Sequence, residues 1–371
     1  WLLTLLLIPF SLVLFLIRDT RYVSLSIIVL AALYGFGWLS TFVFTCTLGI
    51  VVIGELAFRF TGGKQASYLY HLAAAVGVSL AVMLYLRYSA PLVVMMGVVA
   101  AVLLRAALRG RDDVLMVEAL GVAMTMFLFE EINFQVDLTI LVVAAVIAFG
   151  FGYSSYRLRV ADVSGLFSGA MIGIILIVFA GVPWFLIMLT FFIVGAGATR
   201  YRYGDKEQLG VAQEHAGVRG YFNVFANGLV ATGAAILYGV TGNPAFAALF
   251  MGSVASAAAD TAASEIGVTG KTPYLITTLQ PVPRGTNGGV TLRGEMAAVA
   301  AAALVALVAW VLGVADPRMA VVTVAAGFVG TNVDSLVGAT LENSGRIGNS
   351  GTNLAATFFG GVFGMLVYLV T

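Results

Sequence analysis

The sequence predicts an all-α protein, a polytopic bundle of transmembrane helices. Of its 371 residues, 61% are hydrophobic and only 10% are charged, a balance far outside that of soluble domains. Apolar runs of about 16 to 22 residues recur from one end of the chain to the other, which suits helices that cross a hydrocarbon core of ~30 Å. Membrane barrels consist instead of shorter segments that alternate between apolar and polar residues.

Charged and turn residues divide the chain into about fourteen candidate spans. The division is weakest over 23–57, where only the Gly-Phe-Gly-Trp at 35–38 interrupts a stretch that is too long for one crossing. The predicted spans are 1–17, 23–38, 40–57, 68–86, 90–106, 113–129, 136–153, 163–180, 183–199, 221–240, 243–262, 295–314, 317–338 and 350–370.

The basic residues orient these spans, because cytoplasmic loops of membrane proteins carry an excess of Lys and Arg. Of the 19 Lys and Arg residues, all except Arg87 and Arg318 fall in the odd-numbered loops. We therefore expect the odd-numbered loops to face the cytoplasm. A helix missed or added in the middle of the chain would have mixed the two sets of loops.

Loop length predicts two domains. Residues 1–150 form an N-terminal transmembrane region with short loops, to which the sequence assigns no role. Residues 151–371 carry two long polar loops on the predicted cytoplasmic side, at 200–219 and 263–294. Long loops of this kind usually carry function, so we expect the catalytic domain there.

Several polar residues favour a structural interpretation. A single cysteine excludes an intrachain disulfide, and a net charge of +1 gives no indication of nucleic-acid binding. His71 and His215 are the only histidines and lie far apart, which excludes a His-rich metal site; we expect His215 to be solvated. Glu55 and Arg59 are spaced for an ion pair on one helix. Glu118 lies further into its span and fits a helix-end position least well.

The Gly-Lys-Thr at 270–272 resembles the end of a phosphate-binding P-loop. That motif also requires an earlier glycine and a preceding strand. Here Glu265 stands in place of the glycine, and an apolar helix precedes it. The P-loop is therefore excluded, although Lys271 can still meet a phosphate as a point charge.

Acidic and amide side chains gather at one predicted level of the membrane. Asp260 lies near the end of the eleventh span and Asp334 at a similar depth in the thirteenth, where an ionised carboxylate is costly unless it is paired, hydrated or bound to metal. Asn223 and Asn227 lie on one face of the tenth span. All fall within a turn or two of the predicted cytoplasmic surface. The alternative is that these residues only cap helices or join them by hydrogen bonds.

The loop at 281–295 adds groups that suit phosphate. Gly285 and Gly288 can expose backbone amides, Thr286 and Asn287 add side-chain donors, and Arg284 and Arg293 add guanidinium forks. Beside the two carboxylates, these groups indicate a division of labour: acids hold Mg²⁺, while basic and amide groups hold the phosphates. Phosphoryl transfer requires little else from a protein, because it depends on positioning and charge neutralisation.

Five segments in one order resemble a known family. They are "GATRYRYGDKEQLGVAQ" at 197–213, "RGYFNVFANG" at 219–228, "ADTAASEIG" at 259–267, "VPRGTNGGVTLRG" at 282–294 and "GTNVDSLVGAT" at 330–340. They are similar to the signatures of the integral-membrane family that contains the plant phytyl-phosphate kinase, together with animal and archaeal members. The likeness begins near residue 155. The D-x-x-A-x-x-x-G pattern of the related polyprenol and phytol kinases is matched by Asp260, Ala263 and Gly267.

This resemblance implies a CTP-dependent kinase that converts an isoprenyl monophosphate, phytyl or geranylgeranyl phosphate, into the diphosphate. It implies Mg²⁺ or another divalent cation as cofactor and CTP as phosphate donor. It also implies that Glu265 belongs to the metal or nucleotide-phosphate site and that the 284–289 loop contacts the nucleotide. The predicted catalytic residues are Asp260, Glu265, Asp334 and Lys271; the metal ligands Asp260, Glu265, Asp334 and Asn332; and the nucleotide and phosphate contacts Arg219, Asn223, Asn227, Arg284, Gly285, Thr286, Asn287, Gly288 and Arg293.

Three other functions stay open from the sequence. A polyprenol kinase and a CTP-dependent lipid cytidylyltransferase would use similar residues, and a secondary transporter would also need many helices with acids inside the membrane. Transporter sites tend to lie near the bilayer midplane, whereas these polar residues cluster on one side. The expected partners are the lipid phosphate, the nucleotide, membrane lipids and a second copy of the chain, with no nucleic acid. The composition favours a prokaryotic cell membrane, including an archaeal one, with the active site facing the cytoplasm.

Overall fold

The computed structural model describes residues 2–17, 20–212 and 217–371, with side chains from residue 4 onward. His215 lies outside these ranges. Of the residues that the structure describes, 77% are helical, which confirms the all-α class. It folds as two compact units, one formed by the residues up to 152 together with 166–171, the other by 153–165 and 172–371.

The first unit is a bundle of apolar helices. In it α3 packs against α4 and α6, and α5 packs against the same two helices. Ser40 begins α3, because its hydroxyl accepts a hydrogen bond from Val43 N at 3.1 Å, which satisfies one of the free amides of the first turn. The helices are α1 (Leu2–Phe15), α2 (Arg21–Gly35), α3 (Thr41–Phe60), α4 (Ser67–Leu86), α5 (Pro91–Ala107), α6 (Val114–Ile132) and most of α7 (Leu138–Arg157).

The second unit contains the remaining helices and one small sheet. Its helices are α8 (Val163–Ala180, apart from 166–171), α9 (Val182–Arg200), the short α10 (Tyr203–Gln208), α11 (Tyr221–Thr241), α12 (Ala245–Gly267), α13 (Leu292–Val311), α14 (Pro317–Val337) and α15 (Asn349–Val370). A π-helical turn, Gly338–Glu342, continues α14. The strands β1 (Tyr274–Leu275) and β2 (Gly289–Val290) pair antiparallel between α12 and α13. The functional division between residues 150 and 151 stays a prediction.

Helix α12 is the centre of the second unit. It packs against α9, α11, α13, α14 and α15, and small residues line almost its whole buried length, from Ala245 to Ala262. Small side chains let helix backbones approach closely, which is the usual basis of helix association in membranes. The alanine-rich composition of this span therefore explains how five helices surround it.

The helices agree with an integral membrane protein. Within the described ranges, ten helices are long and apolar enough to cross a membrane, and α1, α2 and α5 are shorter apolar helices. The long helices follow the predicted spans closely in position. The total of about fourteen crossings stays a prediction.

Candidate functional site

A polar cavity of about 210 Å³ lies in the second unit, where five helices begin or end. Helices α11, α13 and α15 begin at this cavity, and α12 and the π turn after α14 end at it. The loop that contains β1 and β2 covers part of it. Helix N-termini carry partial positive charge and free amide groups, so three of them at one cavity favour an anion. The N-cap residues of α11 and α15, Gly220 and Gly348, have no side chain to bond these amides, and the Ser164 hydroxyl accepts from one of them, Tyr221 N, at 3.1 Å.

Close contact between α12, α14 and α15 lies one helical turn beneath the cavity. The Ser256 hydroxyl donates to Gly252 O at 2.7 Å and to Ala326 O at 3.2 Å. A Cβ at Gly330 would overlap the Ser256 side chain and lie 2.9 Å from Ala356 O. Because residues four apart share a helix face, this contact sets the distance between the groups one turn above.

We expect Gly330→Ala to lower the stability of the second unit, because the added methyl group must displace Ser256 or part α12 from α14. Overpacking of this kind costs about 1–3 kcal/mol. Gly233→Ala is the matched control, since a Cβ at Gly233 in α11 has no atom of the described residues within contact distance. Thermal unfolding in detergent measures the effect. An equal unfolding midpoint for both variants would contradict this account of the contact.

Two carboxyl groups lie in the turn above that contact. Asp260 on α12 and Asp334 on α14 are within hydrogen-bonding reach of each other, and Asp334 also lies beside Thr352 on α15, whose hydroxyl donates to Asn349 O at 2.7 Å. Glu342 on the π turn lines the same cavity and is close enough to interact electrostatically with both carboxyl groups. Asp334 Oδ1 is buried and has no hydrogen-bond partner in the described part of the chain. Like charges at this separation need a proton or a cation between them.

The carboxyl pair fits a divalent cation that has other ligands from a substrate. Mg²⁺ in enzymes is often held by one or two carboxylates, with waters and substrate phosphates completing the shell. Within the described ranges, no group of three or more His, Cys, Asp or Glu residues is arranged to hold a metal. The unpartnered Asp334 Oδ1 is an available ligand atom of the kind that this arrangement requires.

Glu265 and Asn332, two of the four predicted metal ligands, are engaged elsewhere. Glu265 is 5% exposed and forms an ion pair with Lys206, which is 1% exposed. Asn332 donates to Glu295 Oε2 at 3.3 Å and to Phe328 O at 2.9 Å. Neither side chain lines the cavity. Of the four predicted ligands, Asp260 and Asp334 are therefore the two that line the cavity, and their role as metal ligands stays a prediction.

Lys206 joins three elements of the second unit. Its ammonium group donates to Thr199 O at 2.7 Å and to Ala198 O at 3.1 Å, in the last turn of α9, as well as to Glu265 on α12. A cation satisfies the free carbonyl groups of a helix C-terminus and interacts favourably with its dipole. Glu265 is thus part of a buried structural contact one turn beyond the cavity-lining Thr261.

Arg219 is a buried cation at the edge of the cavity. Its side chain lines the cavity, the residue is 9% exposed, and its guanidinium lies over the rings of Phe191 and Phe192 at 5.3 Å. The guanidinium makes no hydrogen bond or ion pair with another described side chain, whereas the backbone of Arg219 is bonded to Val160 and Asp162. Burial lowers the pKa of Arg219 to about 10, partly opposed by the negative charge of Glu265, so the group remains charged at neutral pH. A charged group of this kind is suited to hold an anion.

The loop at 284–288 is fixed against the end of α14. Gly288 has a φ of +77°, and a Cβ there would lie 2.6 Å from Ser335 O. Asn343 Nδ2 donates to Asn287 O at 3.3 Å, and Ile276 N donates to Gly288 O at 2.9 Å. The loop therefore approaches the carboxyl pair only because position 288 has no side chain.

Most of the predicted site residues line one cavity. These are Asp260, Asp334, Arg219, Asn223, Asn227, Arg284, Gly285, Thr286, Asn287 and Gly288. Besides Glu265 and Asn332, two predicted residues lie outside it. Lys271 is exposed, and Arg293 donates to the Tyr201 hydroxyl at 2.8 Å and to Thr269 O at 3.2 Å.

Sequence reasoning missed three groups that line the cavity. Glu342 is eight residues beyond Asp334, and a regular helix would turn it by about 80° from that residue; the π turn alters this relation. Glu295 lies in the first turn of α13, and Thr352 in that of α15. An acid or hydroxyl in the first turn of a helix is also common because it stabilises the helix N-terminus. The sequence alone therefore does not distinguish Glu295 and Thr352 from such residues.

The fold and the cavity define a class of protein: an integral membrane protein with an acidic and cationic site at the ends of its helices. The chain belongs to the family described as Integral membrane protein DUF92, which matches residues 146–361, more than half of its length. This match confirms the family resemblance inferred from the motifs. It covers all the cavity-lining residues.

Relatives occur in archaea, cyanobacteria and plants. An uncharacterized membrane protein of Methanocaldococcus jannaschii is 35% identical over 211 residues, which are 57% of this chain and 87% of that protein. Protein VTE6, chloroplastic, of Arabidopsis thaliana is 34% identical over 187 residues, 48% of this chain and 56% of its own length. Protein PGR of the same plant is 31% identical over 231 residues, 55% of this chain and 80% of that protein. No solved structure shows a significant match.

Proposed function

We propose that the cavity transfers the terminal phosphate of CTP to an isoprenyl monophosphate, phytyl or geranylgeranyl phosphate, and forms the diphosphate. The observation that carries this proposal is the presence, in one cavity, of the facing Asp260 and Asp334 carboxyl groups and the unpartnered Arg219 guanidinium. The family supports it, because the motifs of this chain resemble those of the integral-membrane family that contains the plant phytyl-phosphate kinase. Protein VTE6 matches over only 56% of its length, so the activity implied by the family is carried to this chain as a proposal.

The position of the cavity suits the proposed acceptor. An isoprenyl phosphate has a tail that belongs in lipid and a head group that belongs in water. The cavity lies at the ends of helices that are apolar enough to span a membrane. The distribution of basic residues favours the cytoplasmic side for this end of the helices, and CTP is available there. We propose that the tail stays in the bilayer while the head group enters the cavity.

In this proposal Asp260 and Asp334 hold Mg²⁺. A cation held by these two residues would supply positive charge to offset the negative charge of the phosphates. Asp334 Oδ1 is the available ligand atom, and Thr352 on α15 lies beside the Asp334 carboxyl group. Glu342 is positioned to accept a hydrogen bond from a water in the cavity.

The basic and amide groups hold the two substrates against their mutual repulsion. Arg219 and Arg284 bind phosphate oxygens, and Asn223 and Asn227 add polar side chains at the start of α11. A lone pair on an acceptor phosphate oxygen forms a bond to the terminal phosphorus of CTP, while the bond from that phosphorus to the bridging oxygen breaks and its electrons leave with CDP. The acceptor is already an anion, so no strong general base is needed.

Product analysis by ³¹P NMR tests the proposed reaction. Purified protein, Mg²⁺, CTP and phytyl or geranylgeranyl phosphate should yield CDP and a lipid diphosphate. Release of pyrophosphate would indicate a cytidylyltransferase, and turnover with the free alcohol a polyprenol kinase. No change with any of these acceptors would contradict enzymatic transfer and favour the transporter alternative.

Two arginines on the same side of the second unit offer a matched comparison. We expect Arg219→Ala to lower kcat/KM for CTP by roughly ten- to a hundredfold, since a hydrogen bond to a charged group contributes about 1.5–3 kcal/mol. Arg293→Ala removes the same charge, but that guanidinium is already bound to Tyr201 and Thr269, so its effect should be small. Steady-state kinetics at constant ionic strength measures both. Equal losses of kcat/KM in the two variants would indicate a general effect of net charge and would contradict a specific contact between Arg219 and the nucleotide.

A further inference from the structure

A second polar cluster lies inside the first unit, where four helices each contribute an ionisable side chain. These are Glu55 on α3, His71 on α4, Arg105 on α5 and Glu118 on α6. Arg105 Nε lies 2.9 Å from Glu55 Oε2, and Arg105 Nη2 donates to Glu55 Oε1 at 3.0 Å. Ionisable residues within membrane helices are rare and tend to mark functional sites.

His71 and Glu118 are the buried members of this cluster. Both residues are 0% exposed, and His71 Nε2 lies 3.5 Å from Glu118 Oε1. That distance exceeds a hydrogen bond. Neither imidazole nitrogen and neither carboxyl oxygen has a hydrogen-bond partner among the residues that the structure describes. Buried polar atoms of folded proteins are nearly always paired, so four unpaired atoms in contact need a ligand.

The neighbouring helix is shaped to admit the imidazole. A Cβ at Gly54 would lie 2.5 Å from Nε2 of His71 and 2.7 Å from Cδ2, so the ring occupies space that only glycine leaves free. Gly54 directly precedes Glu55, so the part of α3 that makes room for the His71 ring also carries the carboxylate that pairs with Arg105. Specific contacts between α3, α4, α5 and α6 therefore hold the four side chains together.

The surrounding charges make a change of protonation feasible. Arg105 is close enough to interact electrostatically with both members of the pair, and Arg59, which also binds Glu55, has a side chain that is 68% exposed. This end of the four helices is predicted to face the cytoplasm. The titratable and charged side chains on the surrounding elements are Glu55 and Arg59 on α3, Tyr68 on α4, Arg105 on α5, Arg109 just beyond α5, and Arg21 and Tyr22 in the exposed first turn of α2.

We propose that His71 and Glu118 form a proton-binding site inside the membrane region of the first unit. One proton, taken from water at the end of the helices where Arg59 lies, binds between Nε2 of His71 and Oε1 of Glu118. Binding changes the pair from a single negative charge to neutral, and release returns the proton to water and leaves the carboxylate opposite Arg105. This gives the N-terminal region a proton-transfer role that is independent of the proposed kinase function.

Histidine-selective ¹⁵N NMR can test the site, because the chain has only two histidines. The full chain with His215→Gln, in lipid nanodiscs, contributes the resonances of His71 alone. We expect the imidazole nitrogen shifts to change between about pH 4 and pH 9, and Glu118→Gln to move the midpoint by more than one pH unit. Glu131→Gln, an exposed acid on the same helix, is the matched control and should leave the midpoint unchanged.

Infrared spectroscopy provides a second readout that does not depend on the Glu118 variant. His71→Gln should shift the stretching band of the protonated Glu118 carboxyl group, and exchange into D₂O should shift it further. The proposal is wrong if His71 keeps one protonation state across the pH range. It is also wrong if Glu118→Gln and Glu131→Gln have the same effect, or if the carboxyl band is insensitive to His71→Gln and to D₂O.

Discussion

Asp260→Asn and Asp334→Asn each lower phosphoryl transfer by at least a hundredfold. The amide is nearly the same size as the carboxylate, but it carries no charge and therefore binds a divalent cation much more weakly. Loss of one preorganised electrostatic group typically costs about 2.7–4 kcal/mol in transition-state stabilisation. Transfer of label from γ-labelled CTP to the lipid phosphate measures the loss. Because both carboxyl groups would hold one cation, the double variant should be little slower than either single variant.

Asp316→Asn is the matched control for these variants. Asp316 caps the opposite end of α14, the helix that carries Asp334, and its carboxylate accepts from Met319 N at 2.6 Å. Asparagine caps helices as well as aspartate does, so this variant should keep both its stability and its activity. Full activity of Asp260→Asn, in a protein that unfolds at the wild-type temperature, would contradict the proposed metal site.

Lys206→Met lowers the free energy of unfolding by about 3–5 kcal/mol, the cost of leaving one partner of a buried ion pair uncompensated. The variant leaves Glu265 charged and buried, and it frees the carbonyl groups of Ala198 and Thr199 at the end of α9. Lys271→Met is the matched control, since Lys271 is exposed. Chemical unfolding in mixed micelles measures both.

A double-mutant cycle separates the ion pair from the carbonyl contacts. Lys206→Met with Glu265→Leu removes both charges, and replacement of a buried pair by apolar residues is often nearly neutral. The double variant should therefore recover part of the lost stability, leaving the cost of the carbonyl groups of α9. If Lys206→Met is as stable as Lys271→Met, or if the two changes are simply additive, Lys206 and Glu265 do not act as a buried pair.

The depth of a residue in the membrane could be predicted from the sequence, but the partner that it meets there could not. The length of an apolar span fixes how far along it a residue lies, which predicts one level for Asp260 and Asp334. Glu265 is five residues beyond Asp260, which turns it by about 140° on a regular helix and so away from the other carboxyl group. That it meets Lys206 on this other face depends on tertiary packing, which a hydropathy pattern does not encode.

The charges on either side of the cavity illustrate the same limit. Arg284 and Arg293 are equivalent in sequence, since both flank the glycine-rich segment. In the structure Arg284 lines the cavity, whereas Arg293 lies over the ring of Tyr201, a residue more than ninety positions away. Long-range pairing of this kind is set by tertiary structure. The π turn that brings Glu342 to the cavity is equally a product of contact with the 284–288 loop.

The central claim is that this cavity holds the phosphates. A cryo-EM structure of the full chain in nanodiscs, with Mg²⁺ and a non-hydrolysable CTP analogue, tests it most directly. The account predicts density for the phosphates in the cavity, in contact with Arg219, and a cation between them and the carboxyl groups of Asp260 and Asp334. Nucleotide density elsewhere on the protein, with the cavity empty at a saturating concentration of the analogue, would contradict it.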